Sequence, residues 1–155
     1  MSLYKIYIRP HIEFAISAWS PFLKRDIDVI EKVQRRVTRV PKALHGVEYQ
    51  ERLERMGLTT LETRRTRGDL IQLFKIVRGA DLINWYREPT WSVKRSTKRS
   101  QLRRELVASC QQRYNFFYNR IANIWNALPD EIVEAGSINK FKCMIDKHLI
   151  STTAS

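Results

Sequence analysis

Glycine and cysteine are scarce in this chain, and long apolar runs are missing. Five glycines occur among 155 residues. None falls in a spacing that cradles phosphates, which excludes a nucleotide-binding loop of that type. Two cysteines, Cys110 and Cys143, cannot build a disulfide framework and suit a reducing compartment. No apolar stretch approaches the roughly 18–20 residues a membrane helix needs, and the first residues lack the pattern of a secretory leader. The expectation is an intracellular protein, in nucleus or cytoplasm, without a membrane partner. Acidic residues are in deficit as well. Against 28 Lys and Arg stand 16 Asp and Glu, giving a formal charge of +12 and a pI near 10.1. A polyanion is therefore the first partner to consider. With 43% hydrophobic residues and 10% aromatics, the chain can bury a core and is not a disordered basic tail.

What is present reads as an all-α fold: a small helical bundle of about five or six helices with a long basic loop. Residues 3–19 are apolar on nearly every side of a helical wheel, with Pro10 starting or kinking a helix. Such a segment is buried, or wants a partner. From Asp26, a candidate cap, to Val40, the residues Ile27, Ile30, Val33, Val37 and Val40 form an inward stripe. Lys32, Arg35, Arg36 and Arg39 fall on the opposite face. A short helix over 48–56 stops at Gly57, and Thr59 with Glu62 opens the next as a capping box. That helix runs to Arg78 before Gly79, with Leu70, Leu73, Phe74 and Val77 inward and Arg64, Arg67, Lys75 and Arg78 outward. Residues 80–112 lose the period and read as a basic loop with short strands. Tyr114, Phe117, Ile121, Ile124, Trp125 and Leu128 restore it until Pro129, and Ser137 caps a last helix. The expected divisions are 1–79, 80–112, 113–150 and a disordered tail at 151–155.

Catalytic chemistry finds little support in these residues. Two-metal catalysis needs carboxylates that converge on cations roughly 3.5–4 Å apart. Asp26 and Asp28, at a helix start, do not share a face, and the helix dipole explains them more simply. Cys110, Cys143, His11, His45 and His148 lack zinc-ligand spacing and read as core cysteines and surface histidines. The expectation is a chain with no metal, no cofactor and no catalytic residue. Arginine is the positive signal, because its planar fork of donors matches phosphate oxygens. The candidates for phosphate contact are Arg35, Arg36, Arg39, Arg64, Arg65 and Arg67 on the helices. Lys94, Arg95, Lys98, Arg99, Arg103 and Arg104 join them in the loop. The competing reading is that these are solvated faces or partners of Glu31, Glu51, Glu54, Glu62 and Asp69. Phe116 and Tyr118 remain open between base stacking and core packing.

Four blocks occur in order: LYKIYIRPHIEFAISAWSP with DIDVIEKVQRRVTRV, YQERLERMGLTTLETRRTRGDLIQLFKIVRG, and FFYNRIANIWNALPDEIVEAGSINKFKCMIDKHL. From about Leu3 to Leu149 the chain resembles the C-terminal region of non-LTR retrotransposon (LINE) reverse transcriptases, nearest the jockey-like and chicken-repeat branch. The resemblance implies a polymerase thumb with a helical extension, lying close to the primer–template duplex. It implies backbone contacts for Arg35, Arg36, Arg39, Arg64, Arg65 and Arg67. The family's Tyr-x-Asp-Asp palm motif and the C-terminal cysteine–histidine knuckle of some relatives are absent from this sequence, and a basic-rich VPKALHG turn replaces the more apolar usual one. A non-catalytic fragment that binds duplex or RNA–DNA hybrid non-specifically is the implied function, with the nucleus as the family's compartment. The alternative is an interaction module whose segment 3–19 docks on a palm domain, another protein or a second copy. A transposon remnant without a selected role is the third reading.

Overall fold

The computed structural model describes residues 3–85, 88–93 and 100–153. The fold is mostly helical, with one small two-stranded sheet. The chain divides into two compact units, Met1–Thr66 and Arg67–Ser155. The boundary between these units falls inside a helix.

In the first unit the apolar N-terminal segment is not one helix. A π-helical turn over Tyr4–Ile8 gives way to α1 (Arg9–Glu13), where Pro10 lacks an N–H to donate. Phe14 is extended and Ala15 is left-handed at φ 49°, which separates α1 from α2 (Ile16–Trp19). The indole of Trp19 donates to the Phe14 carbonyl across that break. Next comes α3 (Lys24–Thr38), whose first residue is preceded by an uncapped Leu23. Asp26 is therefore not the cap but a first-turn acid, where the helix dipole favours it. After a 3₁₀ turn at Lys42–Leu44, α4 (Tyr49–Arg55) begins with the Glu48 carboxylate accepting from the Gln50 N–H at 2.7 Å. Its end is a Schellman motif. Gly57 sits at φ +58°, its N–H bonds Glu54 O at 3.0 Å, and the Leu58 N–H bonds Leu53 O at 2.8 Å. Leu53 and Leu58 then bury together with Tyr4.

Helix α5 (Leu61–Val77) crosses the unit boundary. Its cap is Thr60, one residue after the expected Thr59: the Thr60 hydroxyl accepts from the Thr63 N–H at 3.1 Å. Gly79, at φ +68°, closes it as expected, with Ala80 N–H on Lys75 O at 2.9 Å.

The second unit holds the larger core. Leu70, Leu73 and Phe74 of α5 bury with Phe117, Ile121 and Trp125 of α7 (Phe117–Ala127) and Phe141 and Ile145 of α9 (Ile138–Thr153). Phe74 and Phe141 stack at 4.2 Å between ring centres. Short helices α6 (Gln111–Tyr114) and α8 (Asp130–Val133) lie between the long ones. Three side chains expected inside are exposed: Val77, Tyr114 and Ile124. Val77 is the last residue of α5, Tyr114 ends the separate turn α6, and Ile124 points away from the Ile121–Trp125 seam. Ser137 caps α9 through the Lys140 N–H at 3.2 Å. Ser151–Thr153 are helical rather than a disordered tail.

Strands β1 (Trp91–Val93) and β2 (Ser100–Leu102) pair antiparallel, with Trp91 opposite Leu102 and Val93 opposite Ser100. Two asparagines of α7, seven residues apart, clasp the chain that leaves β2. Asn126 exchanges two 2.9 Å bonds with the backbone of Leu102. Asn119 accepts from Glu105 N–H at 2.8 Å and donates to its carbonyl at 3.3 Å. Each amide acts as a surrogate strand partner, so Arg103 and Arg104 are held between two fixed points.

Candidate nucleic-acid interface

In α3, helical geometry at 100° per residue places Ile27, Glu31, Gln34 and Thr38 on one line. Glu31, Gln34 and Thr38 are the buried residues of this helix. Among the residues of the expected inward stripe, Val33 is 39% and Val40 74% exposed, while Ile27, Ile30 and Val37 are half-buried. The helix is rolled by about a quarter turn from the expected orientation, because its polar line finds specific partners. Tyr4 Oη donates to Gln34 Oε1 at 2.7 Å, and Gln34 Nε2 donates to Thr59 O at 3.0 Å and to Tyr49 Oη at 3.2 Å. The Glu31 carboxylate accepts from the Tyr49 hydroxyl and, at 3.1 Å, from the Leu61 N–H. Arg52 donates from Nε to Thr38 Oγ1 at 3.3 Å and from Nη1 to the Val47 carbonyl. Burial, followed by the nearby Glu13 charge, pushes the Tyr4 phenol up to about 12. Burial and the bond to Glu31 push Tyr49 up further.

This network aims the remaining face of the helix. Lys32, Arg35, Arg36 and Arg39 are all exposed, and none has a carboxylate partner among the described residues. The Arg35 guanidinium lies 5.0 Å from the centre of the Tyr49 ring, a contact that orients it without neutralising it. Three cations of α3 and Arg39, its C-cap residue, thus share one wet face.

The arginines of α5 behave otherwise. Arg64 forms a bidentate pair with Glu13, one arm at 2.8 Å, and Arg67 forms another with Asp146, one arm at 2.9 Å. Arg65 is only 4% exposed. These three face protein groups rather than solvent, so the structure separates them from the α3 strip although the sequence grouped them. In the second unit Arg103 is exposed and Arg104 is half-buried, its guanidinium 4.8 Å from the Tyr114 ring centre. Lys94, Arg95, Lys98 and Arg99 lie outside the described residues.

Among the described residues, no three of His, Cys, Asp and Glu gather to hold a metal ion. Both cysteines are exposed, not in the core as expected; Cys110 precedes α6, and Cys143 lies on the wet side of α9. No described helix is long and apolar enough to cross a membrane.

Sequence reasoning missed the buried polar line of α3 and a cavity floored by Trp85 and Tyr118. The spacing of Glu31, Gln34 and Thr38 at three and four residues carried the first signal, since any stripe with that period shares a face. No family model, curated protein or solved structure matches the chain.

Proposed function

We propose that this chain derives from the thumb and helical extension of a LINE-type reverse transcriptase and binds duplex or hybrid nucleic acid through backbone phosphates. The observation that carries the reading is the exposed strip Lys32–Arg35–Arg36–Arg39, free of carboxylate partners among the described residues. At 1.5 Å rise per residue the strip is about 10 Å long, roughly three phosphate steps of one strand at 3.4 Å each. Contacts of this kind read charge and spacing, not sequence. On this reading the metal-holding aspartates belong to the parent enzyme's palm, this chain contributes binding, and the nucleus is the compartment.

The test is fluorescence anisotropy with an RNA–DNA hybrid over a series of salt concentrations. Four engaged cations give a log–log slope of about −3 to −4, and each arginine removed shortens it by about 0.9. Arg35→Gln with Arg36→Gln should therefore lose about two units of slope. A flat salt response, or no binding at low salt, would refute the proposal.

A second reading, a docking module, is favoured by one further observation. Leu3, Ile6, Tyr7, Phe14 and Trp19 are exposed, at 72%, 60%, 65%, 76% and 43%, and a cluster of that kind suits a palm domain or a partner protein. Light scattering over a wide concentration range tests it: a clean monomer throughout argues against self-association through this face.

A further inference from the structure

The cavity in the second unit has a chemistry that phosphate tracking along a duplex does not use. It measures about 930 Å³ and sits between the chain leaving β2 and the start of α7. That volume is at the upper end of the range for small-molecule sites, roughly 300–1,000 Å³. Trp85, Phe116 and Tyr118 supply aromatic wall. Phe116 is 49% exposed, whereas Tyr118 is 8% exposed and packs its ring against Trp85 at 4.8 Å. The Tyr118 hydroxyl is closed to solvent and has no hydrogen-bond partner among the described residues, so what Tyr118 offers the cavity is its ring.

The charges at the cavity also fit one kind of occupant. Arg113 is neutralised by a bidentate pair with Glu105, at 2.7 and 3.0 Å. Arg103 and Arg104 have no ion pair among the described residues, and Glu88 stands against them, which leaves one positive charge in surplus. One positive charge is the complement of one phosphodiester.

We infer that this cavity binds a single unstacked nucleotide unit, its base against Phe116 and Trp85 and its phosphate at Arg103 and Arg104. Glu88 accepts from an amino or imino group on the base edge. Every base carries at least one such donor, so the site reads a base as a class. The inference does not rest on the α3 strip, which lies in the other unit.

The test compares the full chain's affinity for a short single-stranded RNA and for a strand of equal length without bases. The base-bearing strand is expected to bind about tenfold tighter, the effect of one stacked base. Phe116→Ala should abolish that ratio and Arg103→Gln should weaken both strands. If Phe116→Ala melts early, Phe116→Leu, which keeps apolar bulk without a stacking ring, carries the test through a several-fold fall in the ratio. Arg35→Gln with Arg36→Gln should leave the ratio intact, so failure of the duplex reading is separable from failure of this one. Guanosine monophosphate as competitor distinguishes the sources: no displacement is expected for a strand site, and displacement reassigns the cavity to free nucleotides. Equal affinity of the wild type for both strands, or an undiminished ratio in folded Phe116→Ala or Phe116→Leu, overturns the inference.

Discussion

Replacing Tyr118 by phenylalanine should make the protein more stable. The hydroxyl is buried without a partner among the described residues, and a buried donor left unsatisfied costs about 1–3 kcal/mol of desolvation. Phenylalanine removes that cost and keeps the ring, so the contacts with Trp85 at 4.8 Å and Phe117 at 5.2 Å survive. The void left by one oxygen beside an open cavity is small and offsets part of the gain. A net gain of about 1 kcal/mol corresponds to a rise in Tm of about 4–8 °C for a domain of roughly 60–100 residues. Differential scanning calorimetry of wild type and variant measures the effect. A Tm that falls or stays put would refute the reasoning, because the hydroxyl would then be satisfied in the free protein.

Other perturbations follow from the same physics. Arg120 pairs with the buried carboxylate of Asp69 at 2.7 and 2.9 Å, and Arg120→Met should cost about 3–5 kcal/mol by removing one partner of a buried ion pair, read as a drop in the denaturation midpoint. Gln34→Leu keeps volume but strips the bonds to Tyr4, Tyr49 and Thr59 O, and should cost about 1–3 kcal/mol in urea unfolding. Alkaline pH should destabilise the fold. Tyr4 ionises near 10 when free and about 12 when folded, so the folded state binds the extra proton between those values and stability falls as pH rises through them. The phenolate absorbance should lag that of the urea-unfolded chain over the same window; coincident curves would contradict it. Gly57→Ala should cost about 1–2 kcal/mol through its φ of +58° alone, since nothing crowds the added carbon.

Local signals were legible in the sequence, and long-range pairings were not. Gly57, Gly79, Pro129 and Ser137 marked helix ends because caps act within one turn. The arginines of α5 read as a solvent face, like those of α3, by the same periodicity. Their actual partners are Glu13, 51 residues from Arg64, and Asp146, 79 residues from Arg67. No local pattern encodes such a pairing. The segment 3–19 misled in another way: apolar all round, it read as one helix, yet Ala15 takes a left-handed conformation that composition does not announce.

The roll of α3 explains why its cations can be a site at all. Apolar burial is non-directional, so a valine stripe alone would leave the helix free to settle over a range of rotations. Hydrogen bonds have narrow geometry, and those at Glu31, Gln34 and Thr38 fix the helix by partners on three separate segments: Tyr4, Tyr49 with Arg52, and Thr59 with Leu61. The consequence is a helix with three distinct faces, one polar and locked, one cationic and wet, one of valines left half-open. Burying polar groups in place of the available valines gains little net stability, because each bond made to protein replaces one made to water. What it gains is orientation. A strip of arginines whose azimuth is fixed pays less entropy when it meets a regular array of phosphates than one on a helix free to roll, which is the physical case for reading this face as the binding one.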